Sequence, residues 1–190
     1  MCSSDLTYEG AAHFSPASLA NSAAHTISLF SFSKGYGMAS WRVGYLVAPV
    51  HLLTALEKAQ DTILICPTVI SQQAALGALR AGRHYCQQFS EDLAAVRRLC
   101  LSRLEELGER CHVPDARGAF YQLARLNTTL PALDVVERLV RAYRVAVIPG
   151  EAFGLTDACH VRIAFGALRS DTVAEGMDRL VHGLKKILSP

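Results

Sequence analysis

The sequence has no apolar run approaching the roughly 18 residues that a membrane-spanning helix needs. Its opening, MCSSDLTYEG, has neither the basic start nor the apolar middle of a secretory signal. Charge is nearly balanced, at 19 basic against 17 acidic residues and a net +2, so no basic field is available to recruit nucleic acid. The paired cations Arg97-Arg98 and Lys185-Lys186 read as solvated helix faces. Six cysteines, at 2, 66, 86, 100, 111 and 159, form no C-x-x-C pair and sit in or beside apolar segments, which points to reduced thiols used as small core residues. The seven histidines show neither H-x-x-x-H nor H-x-H spacing, so no metal site is expected. No G-x-S-x-G marks a hydrolase, and Gly35-x-Gly37 has no third glycine and no G-K-[ST] to make a nucleotide loop. What is left is a globular chain of 190 residues, 51% hydrophobic and 19% charged, long enough for one large or two small domains and read as cytoplasmic.

The most informative stretch is Thr26 to Tyr45, TISLFSFSKGYGMASWRVGY. Its alternating start predicts a strand over 26–33, and the apolar run from Val43 to Ala48, stopped by Pro49, predicts a second. The connection between Lys34 and Arg42 is too short for a parallel crossover, so the strands are expected to be antiparallel, with both cations at one rim. An arginine fork suits a phosphate, and hydroxyls at Ser31 and Ser33 can complete an anion's shell. A primary amine at Lys34 suits an aldehyde, with which it forms a Schiff base. Pyridoxal 5'-phosphate carries both groups. Tyr36, Trp41 and Phe120 could approach such a ligand, although core packing is the default for each.

S-F-S-K followed eight residues after the lysine by W-R-V-G-Y resembles the lysine site of class I/II, fold-type I aminotransferases. The resemblance implies that Lys34 bonds the cofactor and that Arg42 and Ser31, with Ser33 as a weaker candidate, hold its phosphate. Ser40 stands where that family usually has glycine or another small residue, and only a local change in the loop is expected. The segment L-T-Y-E-G-A-A-H-F-S-P is similar to a part of the family's large domain well past its middle, so the chain is expected to begin about halfway. The family's phosphate-binding helix, stacking aromatic and Asp-x-x-Tyr would then lie upstream; Asp5 and Tyr8 mimic the last spacing but fall out of alignment with it.

After Pro49, helices are expected over 51–61, 69–81 and 85–107, the second ending before Gly82 and the third at Gly108, with Arg97, Arg103 and Glu105 opposite its apolar stripe. The domain boundary is placed inside the third, giving 1–90 as the C-terminal remnant of the cofactor-binding large domain and 91–190 as the small C-terminal α/β domain. In the second part, strands are expected over 118–123, 145–148 and 160–165, with helices over 133–143 and 172–188. Thr172 with Glu175 has the spacing of a capping box. The layout is one layer of helices on a small sheet. G-A-F-Y, V-I-P-G with F-G, and V-R-I-A-F come in the order that the same family shows in its small domain, so the resemblance covers nearly the whole chain.

Arg162 sits inside an apolar strand, where a cation is costly unless paired. By residues alone, an ion pair with Asp157 or Glu151 competes with an exposed edge position. The resemblance implies a third role, gripping the α-carboxylate of a substrate amino acid. It also implies amino-group transfer between an α-amino acid and a 2-oxo acid, with Lys34 moving the α-proton, in a protein that is a homodimer. A lyase of the same fold and a non-catalytic relic remain open at this stage. Residues 1–190 by themselves are expected to be poorly soluble, at best poor cofactor binders, and not competent in transamination.

Overall fold

The computed structural model describes residues 6–166 and 169–189. Cys2 and Asp5, noted above, lie outside them. The chain divides into two compact units, Met1–Ser90 and Glu91–Pro190.

In the first unit, β1 (Ser28–Ser31) pairs with β2 (Gly44–Val47) antiparallel, in a register running from Ser28 opposite Val47 to Ser31 opposite Gly44. Both strands are shorter than expected. The backbone bends from the strand at Phe32, whose amide donates to Val43 O at 3.4 Å, and the connection then turns on itself. A small core of Phe32, Met38, Val43 and Ala75 supports this connection. Leu6 and Tyr8, in the lead-in, are also buried. A 3-10 turn at Val50–Leu52 takes the place of the first expected helical residues, and α1 (Leu53–Ile63) follows it. No residue of α1 is buried, and Ile63, Leu64, Ile65, Val69 and Ile70 are all more than half exposed.

The stretch α2 (Val69–Glu105) holds the two helical runs expected between 69 and 107, joined across one non-helical residue, Gly82 (φ 70°, ψ −165°). The positive φ there is one that glycine adopts without strain, so the first run ends at Gly82, as expected, and a second begins beyond the kink.

The second unit is built on an antiparallel sheet of order β3-β4-β6-β5: β3 (Cys111–His112), β4 (Tyr121–Leu126), β5 (Ile148–Pro149) and β6 (Cys159–Ala164). The strand expected at 118–123 begins only at Tyr121, because Ala119 takes a left-handed φ of 64° that no strand accommodates. Alternation along β4 and β6 sends Gln122, Ala124, Leu126, Cys159, Val161 and Ile163 to one buried face. Against these residues pack α3 (Ala132–Tyr143), α4 (Ser170–Ile187) and the last turns of α2, through Val135, Leu139, Val173, Met177, Leu180, Cys100 and Leu104.

Two expectations fail here. Thr172 and Glu175 form no capping box, because α4 begins at Ser170 and both residues lie inside it; Asp171 Oδ1 accepts from the Thr172 amide instead, and Glu175 pairs with Arg179. Arg97 is not on a solvated face. It is 3% exposed, donates to Ala116 O at 2.8 Å and lies 3.8 Å from Asp115, because the segment after β3 folds back over it.

Candidate active site

Ser33, Lys34 and Arg42 belong to the tight connection between β1 and β2 and Ser31 ends β1 just before it, so the structure brings these four together on one local element. Ser31 is the last residue of β1 and faces Gly44 across the ladder. A Cβ at position 44 would stand 2.5 Å from Phe30 O, well inside contact distance, so the strands close this tightly only with glycine there. That is the physical content of the glycine in R-V-G-Y. After β1, a turn closes from the Gly37 amide to Lys34 O at 3.1 Å, with Gly37 at φ 65°, and the Met38 amide returns to Phe32 O at 3.2 Å. Lys34 is thereby carried, solvent-exposed, on a turn pinned at both ends.

Arg42 adopts a left-handed conformation (φ 49°, ψ 47°), uncommon for a side chain of its size and costing on the order of 1 kcal/mol. Its Nη1 donates to Ala39 O at 2.8 Å, which folds the guanidinium back over its own loop and leaves its remaining donors unspent. The loop is tied down from α2, where Ser71 Oγ donates to Trp41 O at 3.0 Å and accepts from Thr68 Oγ1 at 2.9 Å. Ser40 lies exposed in the short 3-10 turn Ala39–Trp41.

Ser31 Oγ accepts from the Ser33 amide at 3.1 Å, so its own proton is left to donate outward. An amine, an anchored guanidinium and an outward hydroxyl on one turn are the donor set that an aldehyde phosphate requires. The residues present therefore fit pyridoxal phosphate. Tyr36 is turned into packing, with its ring 5.5 Å from Phe32 and 6.1 Å from Tyr85. Burial pushes its phenol pKa up, and the neighbouring Cys86 adds to the shift. Phe120 packs edge-on to Tyr121, whereas Trp41 is 41% exposed.

Arg162 lies in the second unit, on the β6 face away from the helices, opposite Leu123 on one side and Ile148 on the other. Neither carboxylate considered for it is engaged with it. Glu151 Oε1 accepts from the Ala132 amide at 3.2 Å, and Asp157 Oδ1 is 3.8 Å from His160 Nδ1. Its guanidinium instead lies over two rings, 5.1 Å from the centroid of Tyr121 and 4.7 Å from that of Phe153, and its Nε is buried with no hydrogen-bond partner. A guanidinium held between rings and short of an acceptor is arranged to take an anion. Tyr121 and Phe153 were not singled out by sequence reasoning, although both fall within its motifs G-A-F-Y and F-G.

No group of three or more His, Cys, Asp or Glu side chains that could hold a metal occurs among the described residues. Nor is any helix among them long and apolar enough to cross a membrane. Cys66, Cys86, Cys100, Cys111 and Cys159 are free thiols.

Comparison with known proteins identifies the family and the fold. The family described as aminotransferase class I and II matches residues 2–180. Over 184 residues the chain is 33% identical to aromatic-amino-acid aminotransferase 2 of Thermococcus litoralis, covering 95% of this chain and 46% of the relative. It is also 33% identical to an aspartate aminotransferase of Pyrococcus abyssi, over 94% of this chain and 46% of that one. Among solved structures, the aromatic aminotransferase of Pyrococcus horikoshii superposes with a TM-score of 0.88 at 32% identity, covering 97% of this chain and 49% of its own. The chain thus spans about half the length of the relatives it matches, and its mixed α/β fold is that of the corresponding part of a fold-type I aminotransferase. The chain belongs to the aminotransferase class I and II family.

Proposed function

We propose that this chain is part of a pyridoxal-phosphate-dependent aminotransferase that moves an amino group between an α-amino acid and a 2-oxo acid. The observation that carries the reading is the β1–β2 turn, in which Gly44 lets the strands close and Ser31, Lys34 and Arg42 lie on and beside one short connection. Arg42 and Ser31 hold the cofactor phosphate, with Ser33 beside them, and Lys34 anchors the cofactor's carbonyl carbon through its amine. When bound, pyridoxal phosphate supplies an electron sink that acidifies the proton on the substrate's Cα. The Lys34 amine would take that proton as a general base and return it as a general acid. Arg162 orients the substrate by its α-carboxylate, and the Tyr121 and Phe153 rings fix the plane in which the guanidinium presents its donors.

In this reading, residues 1–90 are the end of the cofactor-binding large domain and 91–190 the small domain. The working protein is a cytoplasmic homodimer of amino-acid metabolism. Its relatives are named for aromatic amino acids, aspartate and arginine–pyruvate, so the proposal commits to the shared α-amino acid group and to no side chain.

The test is to express the intact gene, with any in-frame coding sequence upstream of Met1, and supply pyridoxal phosphate, a panel of amino acids and a 2-oxo acid. A keto acid and a new amino acid are expected in equal amounts. Release of ammonia or thiol in place of a new amino acid would overturn transamination.

A further inference from the structure

The face of the second unit's sheet that the helices leave open carries a row of three basic side chains. His112 on β3 is the register partner of Arg125 on β4, which in turn is the partner of His160 on β6. Residues directly opposite one another on adjacent strands have Cβ atoms about 5 Å apart, so this row sets one guanidinium between two imidazoles, all within reach of one small ligand. The three residues, with Pro114 and Leu123, line a cavity of about 270 Å³ that contains no carboxylate.

The Arg125 side chain has no hydrogen-bond or ion-pair partner among the described residues. His160 Nδ1 lies 3.1 Å from Ala158 O. A carbonyl can only accept, so Nδ1 carries the proton and Nε2 is the uncommitted nitrogen. The nearest acid, Asp157, addresses that same Nδ1 edge at 3.8 Å and is largely in solvent.

We propose that His112, Arg125 and His160 form a binding site for a small oxyanion that retains a proton, of the hydrogen phosphate class, distinct from the carboxylate position at Arg162. The Arg125 fork donates to two oxygens of the anion, and the anion's own hydroxyl donates to His160 Nε2, while His112 closes the far side of the row. Arg162 lies two residues along β6 from His160, about 7 Å on the same face, so it is a neighbour of this site but not a member. A neighbouring cavity of about 430 Å³ contains Arg97, but Asp115 beside it already supplies the counter-charge. The cavity at the open row is lined by no carboxylate.

The experiment is histidine-directed carbethoxylation of the 190-residue chain, read by peptide mass spectrometry with increasing inorganic phosphate. His112 and His160 are expected to be protected saturably, while His51 and His182 keep their rates. Arg125→Gln should raise the half-protecting concentration about tenfold or more, as loss of a charge-assisted pair requires, and Arg125→Lys should fall between. Sulfate, which has no proton to give at neutral pH, should protect more weakly than phosphate. Unprotected His160, equal protection in Arg125→Gln, or equal protection by sulfate would each overturn the proposal.

Discussion

Replacing Gly44 by alanine tests whether the β1–β2 connection depends on the close approach of its strands. A methyl at this position would meet the backbone oxygen of Phe30 at 2.5 Å, where ordinary contact begins near 3.4 Å. Neither atom can rotate away, so the strands must part by roughly 0.5–1 Å across a ladder only four residue pairs long. Overpacking of this kind costs typically about 1–3 kcal/mol. The nearby Phe32-to-Val43 hydrogen bond, already 3.4 Å long, has little margin to stretch. Gly77 is the control: it lies inside α2, and an added Cβ there meets nothing within 4 Å. Alanine at 77 should therefore stabilise the helix by about 0.5–1 kcal/mol. Native-state amide exchange resolves both, with the Phe32 amide opening roughly 5- to 150-fold more readily in Gly44→Ala and protection around position 77 rising in Gly77→Ala. If Gly44→Ala left exchange at Phe32 within twofold of the parent, tight closure of the strands would not be what position 44 requires.

In the protein made from the intact gene, Arg162→Ala should lower kcat/KM for every α-amino acid by roughly 10- to 100-fold, since a hydrogen-bonded charge pair contributes about 1.5–3 kcal/mol. Amines lacking a carboxylate should be unaffected; an equal loss for them would make Arg162 structural. Phe153→Ala should raise KM more than it lowers kcat, because it frees the guanidinium without removing it, and an unchanged KM would show that the ring does not position Arg162. Burial pushes the thiols of Cys100, Cys111 and Cys159 up to about 11, so their reaction with iodoacetamide at pH 8 should be far slower than that of exposed Cys66. The folded pKa lies above the ordinary value of 9.0, so the folded state holds these protons more tightly. The second unit should accordingly keep its full stability below pH 9 and lose it as pH rises toward 11, with a denaturation midpoint that falls over that window. A flat midpoint would contradict the burial of the three thiols.

Much of this was legible in the sequence, because the periods of the second unit are strong and local. The alternation in V-R-I-A-F and the three-to-four spacing of Val173, Met177, Leu180 and Leu184 each predict one buried face, and the structure buries those faces. The antiparallel pairing of β1 with β2 followed from the length of one loop. Single-residue backbone events were legible only in part. Ala119 enters a left-handed conformation that nothing in its composition signals, whereas Gly82 breaks the helix where the sequence places a stop. Arg97 shows the same limit in packing, since periodicity assigned it to the outer face while a segment about 19 residues away covers it. At the candidate site, the residue types around Lys34 are what suggested a chemistry, and the structure sets them on and beside one turn. The two rings against Arg162 did not, because tertiary placement, and not spacing, brings Phe153 over β6.

The most direct test of the central assignment is borohydride reduction in the presence of pyridoxal phosphate, followed by peptide mapping. The chain has only four lysines, at 34, 58, 185 and 186, so the label has few places to go. Lys58 lies exposed on α1, and Lys185 is paired with Glu106 at 2.9 Å. The account predicts a reduced pyridoxyl group on Lys34, ahead of the other three at low cofactor concentration and lost in Lys34→Ala. Equal labelling of the four lysines, or preference for Lys58, would contradict it.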